Sequence, residues 1–225
     1  MSSEIKSTTV QTNSLKDKTG TRTLASDSGS AWNWGSGLPS GSIVQVQYTQ
    51  YGDGSSETGN MSSLSNNTNY VLQASGSASG GSESGILDVN ITPKIYGSKI
   101  WLQCHWMGEL KNDQAYDMVW FFWRDTTKLA GNSGPSGTLV GEAGIGMATQ
   151  TYKADLDANS TPETLNMQYF DTHGQTQSQV NSGTQITYKV GFAMSAGVNQ
   201  VVTNRTIGGT HEVGVSSICA IELAP

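Results

Sequence analysis

The stretch ITYKVGFAM, residues 186–194, decides the fold. Ile186, Tyr188, Val190, Phe192 and Met194 share one parity. Thr187, Lys189, Gly191 and Ala193 share the other. Successive side chains of a strand point to opposite sides of its sheet, so a period of two predicts a strand with one face on a core. The first set is expected to form one wall of that core.

The same period recurs on both sides of this stretch. In VGVSSICAIEL at 213–223, Val215, Ser217, Cys219, Ile221 and Leu223 share a parity, with Ile218 and Ala220 opposite. In SKIWLQCHWMGEL at 98–110, Ile100, Leu102, Cys104 and Trp106 face one way, and Trp101, Gln103, His105 and Met107 the other. Leu87, Val89 and Ile91 alternate with Asp88 and Asn90 until Pro93 stops the run. In IVQVQYTQY at 43–51, Val44, Val46 and Tyr48 alternate with glutamines and a threonine, a half-buried strand. MVWFFWR at 118–124 is apolar at both parities, which predicts a strand buried on both sides. YVLQ at 70–73 is a short apolar step, and 143–152 and 164–172 are weaker strand candidates. GDGSSETGNMSSLSNNT at 52–68 reads as a loop, SGSASGGSESG at 75–85 as a long flexible turn, and 155–165 as the one place for a helical turn. The total of about eight to ten short strands predicts an all-β, antiparallel two-sheet jelly-roll sandwich.

Composition agrees. Of 225 residues, 35% are hydrophobic and 13% charged, and uncharged polar residues fill the gap. That suits short strands and turns better than helices. Residues 1–40 stand apart as a short extended N-terminal arm, ahead of a jelly-roll domain at 41–225. In the arm Ile5, Val10 and Leu15 are scattered in a polar background, and Trp32 and Trp34 sit in a Ser/Gly-rich stretch. Such a segment buries too little apolar surface to offset its own ordering entropy, so it is expected to order against a partner.

Several chemistries are disfavoured. The net charge of −6 carries no basic footprint for nucleic acid. No run approaches the roughly 20 apolar residues of a membrane span, and MSSEIKSTTV lacks the apolar core of a secretory signal. His105, His173 and His211 form no metal-ligand spacing. Asp155-x-Asp157-x-Asn159 opens like a calcium loop but has Ser160 where the sharp turn needs glycine, and Asn166 where a bidentate glutamate belongs. No Gly-x-Ser-x-Gly elbow occurs. No enzyme activity, metal or cofactor is therefore expected. Cys104 and Cys219 read as buried free thiols, with a bridge between neighbouring strands left open. Tyr51, Tyr70, Tyr116 and Tyr152 are candidate loop aromatics for a sugar.

Three stretches carry a resemblance: LPSGSIVQVQYTQY at 38–51, ITPKIYGSKIWLQ at 91–103 and NRTIGGTHEVGVSSICAIEL at 204–223. In order and spacing they resemble the signatures of small marine bacteriophage fibre proteins. These have a C-terminal domain similar in topology to trimeric tumour-necrosis-factor and complement-type globular heads. The opening EIKSTTVQTNSL resembles their virion-anchoring N-termini. The resemblance implies a structural virion protein, assembled in the host cytoplasm. The arm is short for a long shaft, so a head fibre, decoration protein or short tail-associated fibre fits better. It also implies a homotrimer that holds other virion proteins through Ile5, Val10, Leu15, Trp32 and Trp34 and meets host-surface glycan. The apolar second faces of 98–107 and of VWFFWR at 119–124 are both expected to be covered by copies of the chain, and the first places the oligomer interface on Trp101, Gln103, His105 and Met107. A stand-alone carbohydrate-binding, lectin-like module is the alternative, and a polysaccharide hydrolase ranks third.

Overall fold

A computed structural model describes residues 14–16, 23–27, 32–33, 38–53, 59–110, 118–129, 148–149, 162–194, 200–209 and 212–225. The N-terminal part contributes β1 (Ser14–Lys16), β2 (Thr23–Asp27) and β3 (Trp32–Asn33), a small antiparallel meander. The rest runs β4 (Ile43–Tyr51), β5 (Asn60–Ser62), β6 (Tyr70–Val71), β7 (Ser75–Gly76), β8 (Asp88–Ile91) and β9 (Lys99–Leu110). Then follow β10 (Val119–Arg124), β11 (Thr127–Leu129), β12 (Ala148–Thr149), β13 (Glu163–Asp171), α1 (Gln177–Asn181), β14 (Ile186–Ala193), β15 (Gln200–Thr203) and β16 (Ser216–Leu223).

The protein is an all-β sandwich of two sheets, jelly-roll-like in architecture. One sheet has six strands, with β10 and β14 at its centre. The other has seven. In it β9 pairs with β13 along one edge, and with β16 and then β15 along the other; β4 flanks β16. Pairing is antiparallel apart from the short β5–β7 contact.

The core lies between the sheets and uses the predicted parities. Ile186, Tyr188, Val190, Phe192 and Met194 are all buried, as are Ile100, Leu102, Cys104 and Trp106 from the facing sheet. Trp106 and Trp120 meet at 4.7 Å between ring centroids, and Trp120 and Phe192 at 5.4 Å. Gly108 is required here, since a Cβ there would sit 2.1 Å from the Val202 carbonyl oxygen.

The other parity of β14 departs from expectation. Lys189, Gly191 and Ala193 are buried too. The reason is residues 75–85, which are not a free turn but a strap. Trp123 packs against Gly191 on its own sheet and Gly81 on the strap, and a Cβ at either glycine would come within 2.5 Å of the indole. The Lys189 ammonium donates to the Gly81 and Glu83 carbonyls at 2.7 and 2.8 Å. The indole Nε1 of Trp123 donates to the Tyr70 carbonyl at 3.1 Å. Thus Val119, Phe121 and Trp123 are covered within the subunit, not by a neighbour.

Other differences are local. The loop read at 52–68 contains β5, whose Met61 enters the core. β11 and β15 carried no clear periodic signal. α1 was missed although Thr176 and Gln179 form a capping box, whose Thr-x-x-Gln pattern is legible. The helical turn read at 155–165 lies mostly outside the described residues, as does most of 143–152.

Candidate functional site

The outer face of the seven-stranded sheet is the candidate site. Register aligns its side chains in rows across four strands. Phe170, Trp101, Ile221 and Val46 form one row. Gln168, Gln103, Cys219 and Tyr48 form the next, and Asn166, His105, Ser217 and Gln50 the one after. Met107 and Thr164 continue the face at one end, Lys99, Leu223 and Ile43 at the other. Along these rows Lys99 is the only residue with a formal charge. Glu109 continues the parity of β9 but is buried, where it accepts a hydrogen bond from the Ile207 backbone.

The first row is apolar. Trp101 and Phe170 stack at 5.5 Å and 14°. Phe170 is 53% exposed, Val46 48% and Tyr48 73%. The next two rows line an open groove of about 630 Å³, with Gln103, His105, Asn166, Gln168, Ser217 and Cys219 among its walls. His105 Nδ1 lies 2.9 Å from Asn166 Oδ1. That oxygen only accepts, so the contact puts the proton on Nδ1 and leaves the Nε2 lone pair free of it.

Buried polar hubs hold the strands that carry this face. The Glu222 carboxylate, fully buried on β16, accepts from the backbone nitrogens of Lys94 and Ile95 and from Ser98 Oγ at 2.8 Å. Gln45 of β4 donates to the same carboxylate at 2.5 Å and to the Thr92 carbonyl at 2.7 Å. One buried carboxylate therefore ties together β4, the turn before β9 and the end of β16. A second hub lies near the other end of β16. Ser216 Oγ donates to Asn204 Oδ1 at 2.6 Å, and Asn204 Nδ2 donates to the Tyr51 carbonyl at 2.6 Å. Asn204 holds a left-handed φ of 66°, which asparagine tolerates better than most residues.

The predicted interface residues Trp101, Gln103, His105 and Met107 do share this face, each half-buried. Sequence reasoning missed the partners that widen it. Val46 and Tyr48 were read as the half-buried side of β4, whereas Gln45 and Tyr51 turn inward and Val46 and Tyr48 outward. The signal was the glutamine at 45, which has a buried carboxylate to meet. Of the arm residues, Leu15 lies in β1 and Trp32 in β3; Ile5, Val10 and Trp34 lie outside the described residues. Tyr51 and Tyr70 lie on strands, not in loops, at the end of β4 and the start of β6. Tyr51 packs against the core, and Tyr70 is buried, its hydroxyl accepting from the Ser65 backbone. Tyr116, Tyr152, Asp155 and Asp157 lie outside the described residues.

The cysteines are free. Ile218 pairs with Cys104 and Cys219 with Gln103, so the two thiols sit on opposite faces of neighbouring strands and cannot bridge. Burial pushes the Cys104 thiol up to about 12. One arrangement has the residue types of a nucleophile and its base. Ser98 Oγ lies 3.3 Å from His173 Nε2. But the Gln175 backbone donates to His173 Nδ1, so Nε2 bears the proton and Ser98 passes its own to Glu222. The pair is a structural relay, with no lone pair facing the serine. Among the described residues no three His, Cys, Asp or Glu side chains cluster as metal ligands, and no helix is long and apolar enough to cross a membrane.

No protein-family model matches the chain, and no curated protein matches it in sequence.

Proposed function

We propose that the chain is a structural subunit of a bacteriophage virion, a head fibre, decoration or short tail-associated fibre protein. In this reading it works as a homotrimer joined through the outer face of the seven-stranded sheet. One observation carries it. Among the described residues seven large apolar side chains stay exposed, and all but Tyr96 lie on this face or in the run leading into β16: Ile43, Val46, Tyr48, Phe170, Val213 and Val215. Patches of this kind mark interfaces.

The occupant that fits is a second copy of the chain. The protein carries a net charge of −6, so most surfaces of two copies repel. Where this face of each copy lines a three-fold axis, apolar, amide and hydroxyl groups meet with almost no like-charge penalty. The number three rests on the resemblance to trimeric heads, and cyclic symmetry covers all faces equally. The three stretches that carry the resemblance, far apart in sequence, supply Gln45, the 92–98 turn and Glu222 to one hub. Residues 1–40 are the anchor to other virion proteins, and the reading assigns no catalysis.

Sedimentation of the full chain at micromolar concentration tests the assembly, with a trimer expected. A stable monomer overturns it. Deleting residues 2–36 is expected to leave the trimer intact and abolish incorporation into particles. Density for the subunit on a whole virion would fix its location. The lectin-like alternative draws on the groove, where amides and a histidine lie beside exposed aromatics. It predicts a monomer that binds neutral sugars on a glycan array and loses them with Tyr48→Ala.

A further inference from the structure

We infer that assembly through the outer face of the seven-stranded sheet is governed by the protonation of His105, with neutral imidazole permitting it and imidazolium opposing it. The inference rests on the reading of that face as a surface for copies of this chain.

Position argues for it. His105 stands mid-face on the central strand β9, lining the groove. Everything across from it is neutral: Asn166 of β13 on one side, Ser217 of β16 on the other, and Gln50 of β4 beyond. Its neighbours along β9 are Gln103 and Met107. Beneath it the sheet presents apolar groups, Cys104, Trp106, Leu165 and Ile218.

Among the described residues the formal charges lie off the row of His105, and Asp53 is exposed just past the end of β4. Lys99 is six residues along the same strand, roughly 20 Å at strand rise. Glu109 is buried against the 205–209 turn, and Glu163 opens β13 on the inward parity. Glu212 is exposed in the run before β16, beyond Met107. No carboxylate shares a row of this face with His105.

Imidazole is the side chain that changes charge between about pH 5 and pH 8. In the neutral form Nδ1–H is spent on Asn166, and Nε2 offers a lone pair to a facing copy. Protonation turns that acceptor into a donor and adds a charge. In a symmetric assembly every copy gains the same charge on the same surface, now desolvated and unpaired. Like charges brought together across an interface are strongly unfavourable.

The test is sedimentation velocity of the full chain at about pH 8 and about pH 5, with circular dichroism at both to confirm folding. Wild type is expected to self-associate at least about tenfold more weakly at the lower pH. His105→Gln stays assembled at both, and His105→Lys is a folded monomer at both. If His105→Gln dissociates in acid as wild type does, another group is the switch and the inference falls. If wild type stays assembled at both values, it falls while the self-association reading stands. If wild type is a monomer at both, the self-association reading itself has failed.

Discussion

The outer face of the six-stranded sheet and that of the seven-stranded sheet both carry aromatic side chains, and they dispose of them by different means. On the first, Trp123 is buried under a strap from the same chain that a lysine ammonium fixes by two backbone carbonyls, and Phe121 is buried with the Lys128 ammonium 4.2 Å from its ring centroid. On the second, Trp101 and Phe170 stack on each other and Phe170 stays half open, in a setting with one charge at its rim. Among the described residues, a segment of the chain covers the first face and none covers the second. The open face is the one to which self-association is assigned.

The largest effect that separates the faces is expected from their tryptophans. Trp123→Ala empties the space between Gly81 and Gly191 and is expected to cost about 3–5 kcal/mol of folding stability. Trp101→Ala, on a half-buried site stacked on Phe170, is expected to cost clearly less. Denaturant unfolding of both variants measures this. Equal losses would erase the distinction between a covered and an open face.

How much of this was legible depends on where the signal lies. The parity of β9, β14 and β16 was readable because alternation is local. The double burial of MVWFFWR was readable too, but not its cause. The cover is a Ser/Gly run whose one apolar residue is Ala78, and it holds by backbone carbonyls and the absence of Cβ atoms. Sequence periodicity is blind to both. The inversion of β4 had the same origin. Val46 and Tyr48 look like a core face until Gln45 is seen to serve Glu222, a contact 177 residues away in sequence.

Glu222 and Lys189 give the next largest effects. Glu222→Gln places an amide donor against the Lys94 and Ile95 backbone donors, and the expected loss is roughly 2–3 kcal/mol. Because the hub carries β4 and β16, that variant should also weaken self-association. Lys189→Met leaves the Gly81 and Glu83 carbonyls without their donor and should cost about 1–2 kcal/mol. It should also speed proteolysis within 75–85 and leave self-association untouched. Calorimetry, timed digestion and sedimentation together read these out. A strap that stays protected without its lysine would show that the glycine–indole packing suffices.

Stability should also fall in acid, for a reason apart from assembly. Burial holds the His173 imidazole below its ordinary 6.5, against the pull of Asp171 and Glu222 and with help from Arg124. The unfolded chain therefore takes up this proton first. The contribution is fully present above the ordinary imidazole range and is lost as pH falls through the lower folded value. His173→Asn, which tolerates the left-handed backbone there, should flatten this part of the pH profile. An unchanged slope would place the acid sensitivity elsewhere.

The smallest expected effect on the fold is the most telling for the comparison. Tyr48 is 73% exposed on an edge strand, so Tyr48→Ser should change the stability of the isolated subunit by no more than about 0.5 kcal/mol. Its role appears only when copies meet. Association adds stability by mass action, so the melting temperature of wild type should rise with protein concentration. In Tyr48→Ser the dilute limit should match wild type while the rise with concentration is diminished, because the exposed ring no longer adds buried area between copies. Phe170→Ser should behave alike from the opposite edge of the same face. Melting curves across a hundredfold dilution, on the order of micromolar down to tens of nanomolar, decide the matter. If Tyr48→Ser melts lower than wild type even at the dilute limit, the ring supports the fold itself. The outer face of the seven-stranded sheet would then be closed in its own way, and the contrast with the strapped face would not hold.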